Sequence, residues 1–366
     1  MDLTLTILRT LTQTHTYTGT ESNSSTNSSD GVEWGVGTYV WTLHDYFGEP
    51  PVGGFEVSST YGQYDLCGFP KAASFWYRTQ WLLTKPDSDA AKPFPTKNLH
   101  EVHLVESWES PDSFPSTYGN RTRSIHVYSS TRLVELFVNG ESQGQRTITT
   151  MSEGPGSYAE FLNVTWKPGN LTAVAIDSSG NIVARDTRMT NGKATSIFLS
   201  LDAPSKLTGT GEALLADGQD AALLRASVLD ESGEVMHLAS NNITFKVVSG
   251  PGRVQGTHNG DPHLHASNVS PSSPAYHGLV RAVIRVTETS GRDPVERDLL
   301  SRIDVRGPMV YQASYDNDVK SIVVEASSRG LKSAQITIPI SNDPSNGVIE
   351  VARAYAGKVV DFFGKN

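Results

Sequence analysis

From Leu99 to Ser341 the chain is a run of short alternating segments broken by turns at intervals of about ten residues, which suits strands and leaves little room for helices. HEVHLVESW (His100 to Trp108) and SIHVYSS (Ser124 to Ser130) alternate apolar and polar residues. LVELFVNGESQG (Leu133 to Gly144) is a strand, an Asn139-Gly140 turn and a second strand, the strongest short-range hairpin signal. FLNVTW (Phe161 to Trp166), the turn KPGN (Lys167 to Asn170) and LTAVAID (Leu171 to Asp177) follow. This predicts a β-sandwich of immunoglobulin type over residues 99–196. A second sandwich is expected over 197–341. Its strands are AALLRASVLD (Ala221 to Asp230), NITFKVVSG (Asn242 to Gly250), LVRAVIRVTE (Leu279 to Glu288) and a closing hairpin from Val319 to Ser341. Leu299 to Asn317 reads as an insertion or a strand switch, and 342–366 as a tail with a short helix.

Ahead of these lies a different unit. TYVWTLHDYFGEP (Thr38 to Pro50) reads as the end of a strand, beginning near Val32, that empties into an aromatic and acidic loop. Gly48 and Pro50-Pro51 end regular structure there. YGQYDLCGFPKAASFWYRTQWLL (Tyr61 to Leu83) turns helical after Pro70, with Ala72, Phe75, Trp76, Thr79 and Gln80 at three-to-four spacing. Strand, loop and helix make the repeat of a β/α barrel, whose chemistry sits at the carboxyl ends of its strands. Thr84 to Asn98, with its prolines and mixed charge, is a linker. Residues 1–31 read as a low-complexity segment: Leu3 to Leu11 alternates like a strand, and Thr18 to Gly31 is a polar run read as a flexible loop.

The strings VWTLHDYFGEP and YDLCGFPKAASFWYRTQW resemble the end of the catalytic barrel of glycoside hydrolase family 2, closest to its β-galactosidase-like members. LVELFVNGESQG, LADGQDAALLRASVLDESGEV, VSGPGRVQGTHNGDP and AYHGLVRAVIR resemble stretches of the immunoglobulin-like domains that follow that barrel, so the likeness covers most of residues 32–341. Leu43, His44 and Ala72-Ala73 depart from the family's pattern. The resemblance implies a mainly β chain, with two immunoglobulin-like sandwiches after a partial barrel remnant at 32–88. It implies hydrolysis of terminal β-linked sugars by a retaining mechanism, with a β-galactoside or related glycan as partner. The reaction needs two carboxyl groups about 5–5.5 Å apart. By the resemblance these come from earlier barrel strands, so no catalytic residue is assigned within this chain. Trp41 inherits the wall of the sugar site, with Asp45 and Glu49 beside it as substrate-binding candidates. The sandwiches would buttress the barrel or carry neighbouring subunits' loops to its mouth, which leaves room for an oligomer. The alternative is a non-catalytic protein that binds carbohydrate or protein partners through its sandwiches.

Other chemistry finds little support. HNGDPHLH (His258 to His265) matches no established ligand spacing, so neither a metal nor a cofactor is expected. No G-x-S-x-G is present. Asp65, before a Gly-Phe-Pro turn, reads as a turn or cap residue. Cys67 is the only cysteine, expected buried and inert, so there is no disulfide framework. Trp34, Trp76, Trp81, Trp108 and Trp166 read as packing residues, since all lie in strand or helix patterns. The net charge of −9 carries no basic stripe in the sequence, so nucleic acid is not an expected partner. No apolar run of about 18 residues spans a membrane. The first residues lack the basic leader and apolar stretch of a signal peptide. Sequons at Asn23, Asn27, Asn120, Asn163, Asn170, Asn242 and Asn268 acquire meaning only if the chain is secreted.

Overall fold

The computed structural model describes residues 14–18, 35–50, 54–83, 100–114, 121–148, 157–206, 210–216, 218–287 and 321–341. The chain divides into two compact units, Met1–Thr190 and Asn191–Asn366. The described residues are mostly strand, with one α-helix. Among them no helix is long and apolar enough to cross a membrane.

The first unit holds a two-sheet sandwich. One sheet has the order β3 (Val102–Leu104), β4 (Thr122–Ser129), β7 (Ala159–Thr165). The other has the order β6 (Glu141–Thr147), β5 (Leu133–Val138), β8 (Asn170–Ile176), β9 (Ile182–Met189). Alternation decides which side chains face inward: Val134, Leu136 and Val138 of β5 are buried, with partly covered residues between them. They meet Leu104, Ile125, Val127 and Phe161 of the opposing sheet in one core. Each such side chain stabilises the fold by about 1.5–3 kcal/mol. Trp108 is completely buried in this core, and its indole N–H donates to the Lys167 carbonyl at 3.0 Å. The β5–β6 turn has φ of 51° at Asn139 and 81° at Gly140, the left-handed pair that suits the twist of a two-residue hairpin.

The second unit pairs a sheet of order β10 (Ala194–Ala203), β12 (Ala221–Asp230), β16 (Leu279–Val286), β14 (Gly252–His258) with a second sheet. That sheet has the order β11 (Leu214–Leu215), β18 (Ala334–Ser341), β17 (Ser321–Ser327), β13 (Asn242–Ser249), β15 (Ser272–Pro274). Ala222, Leu224, Ala226 and Val228 of β12 and Val280, Ala282, Ile284 and Val286 of β16 close against Ile243, Phe245, Ile322 and Val324. β17 and β18 form the expected closing hairpin in antiparallel register. β10 begins at Ala194, inside the stretch read from sequence as the end of the first module.

The segment before the sandwiches differs from expectation in its strand. β2 (Gly35–Val40) pairs antiparallel with β1 (Thr14–Thr18), which lies within the segment read as low complexity. Thr14 to Thr18 alternates β-branched with aromatic residues, a strand pattern hidden beside the polar run. Among the described residues this strand thus has one antiparallel neighbour rather than the parallel neighbours of a barrel. The helix α1 (Ala72–Leu83) forms as its spacing predicts, burying Trp76, Thr79 and Gln80. Trp81 departs from expectation and is 57% exposed. Five residues beyond Trp76, it is carried about 140° round the helix, to the far side. Trp108, Trp166 and Trp76 are buried, and Trp34 lies outside the described residues. Leu3 to Leu11, Thr18 to Gly31 beyond its first residue, the linker after Leu83 short of His100, Leu299 to Asn317 and the 342–366 tail also lie outside them. Cys67 is half-buried rather than buried, because it sits in the turn over Asp65 instead of in a core.

Candidate functional site

β2 delivers the chain to Trp41, whose ring is 56% exposed. The loop that follows is two arms laced by backbone hydrogen bonds. Gln63 N donates to Thr42 O at 3.1 Å, Tyr64 N to Leu43 O at 2.9 Å and Asp45 N to Tyr64 O at 2.9 Å. Ser59 N donates to Tyr46 O and Gly48 N to Val57 O, both at 2.9 Å. An exposed aromatic loop would ordinarily collapse or fluctuate, and this lacing holds its side chains out on a fixed backbone.

The expected site residues separate into two groups. Trp41 and Glu49 are brought together through Tyr46. The Trp41 indole N–H donates to the Tyr46 hydroxyl at 3.1 Å, and the two rings meet edge to face with centroids 6.2 Å apart. The Tyr46 hydroxyl in turn donates to Glu49 Oε2, and that bond raises the tyrosine pKa. Glu49 has φ of 47°, a left-handed conformation that a glutamate adopts at a cost of about 1–2 kcal/mol. The backbone there is supported by the Tyr61 hydroxyl, which donates to Glu49 O at 3.4 Å.

Asp45 is not part of that chain. Its side chain is buried and accepts from Lys71 Nζ at 2.9 and 3.0 Å and from Gly62 N at 2.7 Å. Lys71 Nζ also donates to Thr60 O at 3.0 Å. Burial pushes the Asp45 carboxyl above the usual range, and the Lys71 charge pulls it back only in part. Gly62 is required by space: a Cβ there would stand 2.2 Å from Asp45 N and 2.4 Å from Tyr64 O. Asp65 is a turn residue, accepting from Cys67 N at 2.8 Å and Phe69 N at 2.9 Å, and burial raises its carboxyl to about 6.

Two contributors were not singled out from sequence, Tyr46 and Lys71. Lys71 carried a weak signal. A cation just ahead of a helix N-terminus is disfavoured by the helix dipole, which hints at an acid holding it.

The loop's floor is anchored through α1, which docks on the first sandwich. Phe75 stacks on His103 at 3.8 Å between centroids and 6° between planes. Burial pushes the His103 pKa down to about 3, so the ring under Phe75 is neutral. Arg78 Nε lies 2.5 Å from Glu101 Oε2, and Gln80 Nε2 donates to Ser157 O at 2.9 Å. The strand–loop–helix unit is thereby tied to β3 and to the residues just ahead of β3 and β7.

In HNGDPHLH, Asp261 Oδ1 accepts from His263 N at 2.9 Å and Asn259 is buried against Pro274 O. Among the described residues no three metal-ligating side chains converge.

Residues 205–296 match the family model described as glycoside hydrolase family 2 C-terminal domain 5. Residues 120–184 match a domain of unknown function, DUF4982. Over 254 residues the chain is 31% identical to beta-galactosidase BoGH2A of Bacteroides ovatus, covering 68% of this chain and 25% of that protein. Over 249 residues it is 27% identical to a beta-glucuronidase of Formosa agariphila, covering 67% and 22% respectively. The chain thus spans about a quarter of the length of these curated relatives. A solved beta-glycosidase from Bacteroides vulgatus shares the fold at TM-score 0.58 and 22% identity, over 81% of this chain and 30% of that one. A solved beta-glucuronidase from glycoside hydrolase family 2 does so at TM-score 0.56 and 22% identity, over 83% and 25%.

Proposed function

This chain belongs to glycoside hydrolase family 2, and on that premise we propose that it is the C-terminal portion of a retaining, β-galactosidase-like hydrolase of terminal β-linked sugars. The acid/base and nucleophile carboxylates lie outside these residues. A retaining site needs its two carboxyl groups about 5–5.5 Å apart, one protonating the leaving oxygen and one attacking the anomeric carbon. Asp45, held by Lys71 and Gly62, is committed to the loop and does neither. Its part in the sugar site is to fix the arm that carries Trp41 and Glu49.

The observation that supports this reading best is the exposed Trp41 ring, steered by its own N–H onto Tyr46 and from there to Glu49. A rigid aromatic face stacks on the C–H face of a pyranose, and the phenol and carboxylate beside it bond to sugar hydroxyls. We read the two sandwiches as immunoglobulin-like modules, the first of which carries α1 of the loop unit. Galactose titrated into the pure chain, followed by Trp41 fluorescence with Trp41→Phe as the reference, tests the wall. A saturable change in the parent that vanishes in the variant supports it, and no change in either refutes it.

One observation favours the non-catalytic alternative. α1 docks on the first sandwich through Phe75, Arg78 and Gln80, so the aromatic unit has a packing partner within the chain. In that reading Trp41 binds a glycan without cleaving it.

A further inference from the structure

The Trp41 loop turns its side-chain donors inward. The Trp41 indole N–H goes to the Tyr46 hydroxyl at 3.1 Å, and the Tyr46 O–H goes to Glu49 Oε2. The Tyr61 O–H goes to Glu49 O at 3.4 Å. Lys71 Nζ donates to both Asp45 oxygens and to Thr60 O. An indole or a phenol has one proton to give and an ammonium has three, so these four side chains have none left for a ligand.

What the cluster leaves open is acceptors. Glu49 is exposed, its second oxygen Oε1 is not engaged by the Tyr46 hydroxyl, and among the described residues no ion pair holds it. The Tyr46 oxygen accepts once and donates once, which leaves it a further lone pair. Charge points the same way. Lys71 and Arg78 are the lysine and arginine between Thr38 and Leu83, and each already faces a carboxylate, Asp45 and Glu101 respectively. Asp45 is buried against Lys71, so its charge is compensated where it stands. Glu49 is the exposed carboxylate linked through Tyr46 to the Trp41 ring.

A hexose and the hexuronic acid of the same ring differ at C6, where a hydroxymethyl group becomes a carboxylate. The hydroxyl donates, whereas the ionised carboxylate only accepts. Against Glu49 the first makes a charge-assisted hydrogen bond, and the second sets acceptor against acceptor and anion against anion. A site whose polar groups await a hydroxyl rejects an analogue that lacks one, because those groups are then left unpaired.

We propose that Glu49 is a specificity residue: it takes a hydroxyl of the sugar stacked on Trp41 and turns a carboxylate away, so that the terminal sugar is a neutral hexose and not a hexuronic acid. This rests on the reading of Trp41 as a wall of the sugar site.

The test is a matched pair, methyl β-galactoside and methyl β-galacturonate, titrated into the full 366-residue chain at about pH 7.5, where the sugar acid and Glu49 are both ionised. Fluorescence read as the difference from Trp41→Phe reports binding at the wall. Galacturonate is expected to bind at least about tenfold more weakly than the galactoside, the worth of one charge-assisted contact. Glu49→Gln keeps an oxygen for the Tyr46 hydroxyl and adds N–H donors, so it should bring the two sugars within about twofold, mainly by tightening galacturonate. Equal affinities in the parent overturn the proposal, as does a gap that survives Glu49→Gln. A gap that vanishes at about 1 M salt belongs to the net charge of −9 and not to hydrogen bonding at Glu49, and overturns it too. Failure of the underlying reading looks different: neither sugar then perturbs Trp41, and the proposal falls with it.

Discussion

Lys71 Nζ stands 2.9 Å from Asp45 Oδ1 while also donating to Thr60 O, so one cation joins the aromatic arm, the returning arm and the start of α1. The carboxylate it meets is buried, which makes the pair the keystone of the Trp41 loop. Lys71→Met should cost about 2 kcal/mol of local loop stability, since it leaves a buried carboxylate with only the Gly62 N–H. The double variant Asp45→Asn/Lys71→Met should recover much of that loss, because asparagine needs no counter-charge. Amide exchange over residues 42–48 and 57–64 measures both. Equal exchange in Lys71→Met and the parent would refute the role.

Gly62→Ala is expected to disrupt the same loop more severely. The added Cβ meets backbone atoms of Asp45 and Tyr64 that have no flexible end to yield. A loss of about 3 kcal/mol, at the upper end for overpacking, should appear as premature proteolysis within 42–64 while the sandwiches stay intact.

Asp65 carries a pH dependence of definite sign. Burial raises its folded carboxyl from 3.8 to about 6, so the folded state holds the proton more tightly than the unfolded chain. Its contribution therefore favours folding at low pH and is lost as pH rises from about 4 through about 6. Asp65→Asn keeps an oxygen for the Cys67 and Phe69 N–H groups and removes the titration. Relative to the parent, that variant should gain stability as pH is raised across this window. A difference between the two that is flat from pH 4 to pH 7 would contradict the shift.

Most of the β architecture is legible in the sequence, because strand periodicity and turn chemistry are local. The Asn139-Gly140 hairpin is read directly, since few residue pairs tolerate φ of 51° and 81°. The buried faces of β5 and β12 follow from alternation. What was hidden depended on partners far along the chain. β1 could not be told from its polar surroundings without β2 beside it. Trp81 looked like a core residue until α1 chose the Trp76 face to dock. At the candidate site, the nearness of Trp41 and Glu49 is legible because both lie in one short loop, whereas the burial of Asp45 depends on Lys71, 26 residues away.

Trp41 should matter for sugar affinity and little for stability, because more than half its surface is exposed. Trp41→Ala is expected to weaken sugar binding about tenfold while changing unfolding free energy by less than about 0.5 kcal/mol. Trp108→Ala is the contrasting case. That ring is wholly buried in the first core, and its loss should cost about 3–5 kcal/mol without touching the loop directly. Thermal melts with sugar titrations on both variants separate the two roles.

The central claim is that this chain is one portion of a family 2 hydrolase whose reacting carboxylates lie outside it. Its most direct test is size-exclusion chromatography of source extract, with each fraction probed by an antibody to residues 99–305 and assayed for nitrophenyl β-galactoside hydrolysis. The account predicts that antibody signal and activity coincide in a species well above 39.6 kDa on denaturing gels, and that the purified chain itself is silent. Antibody signal confined to a band near 39.6 kDa, or turnover by the purified chain, would contradict it.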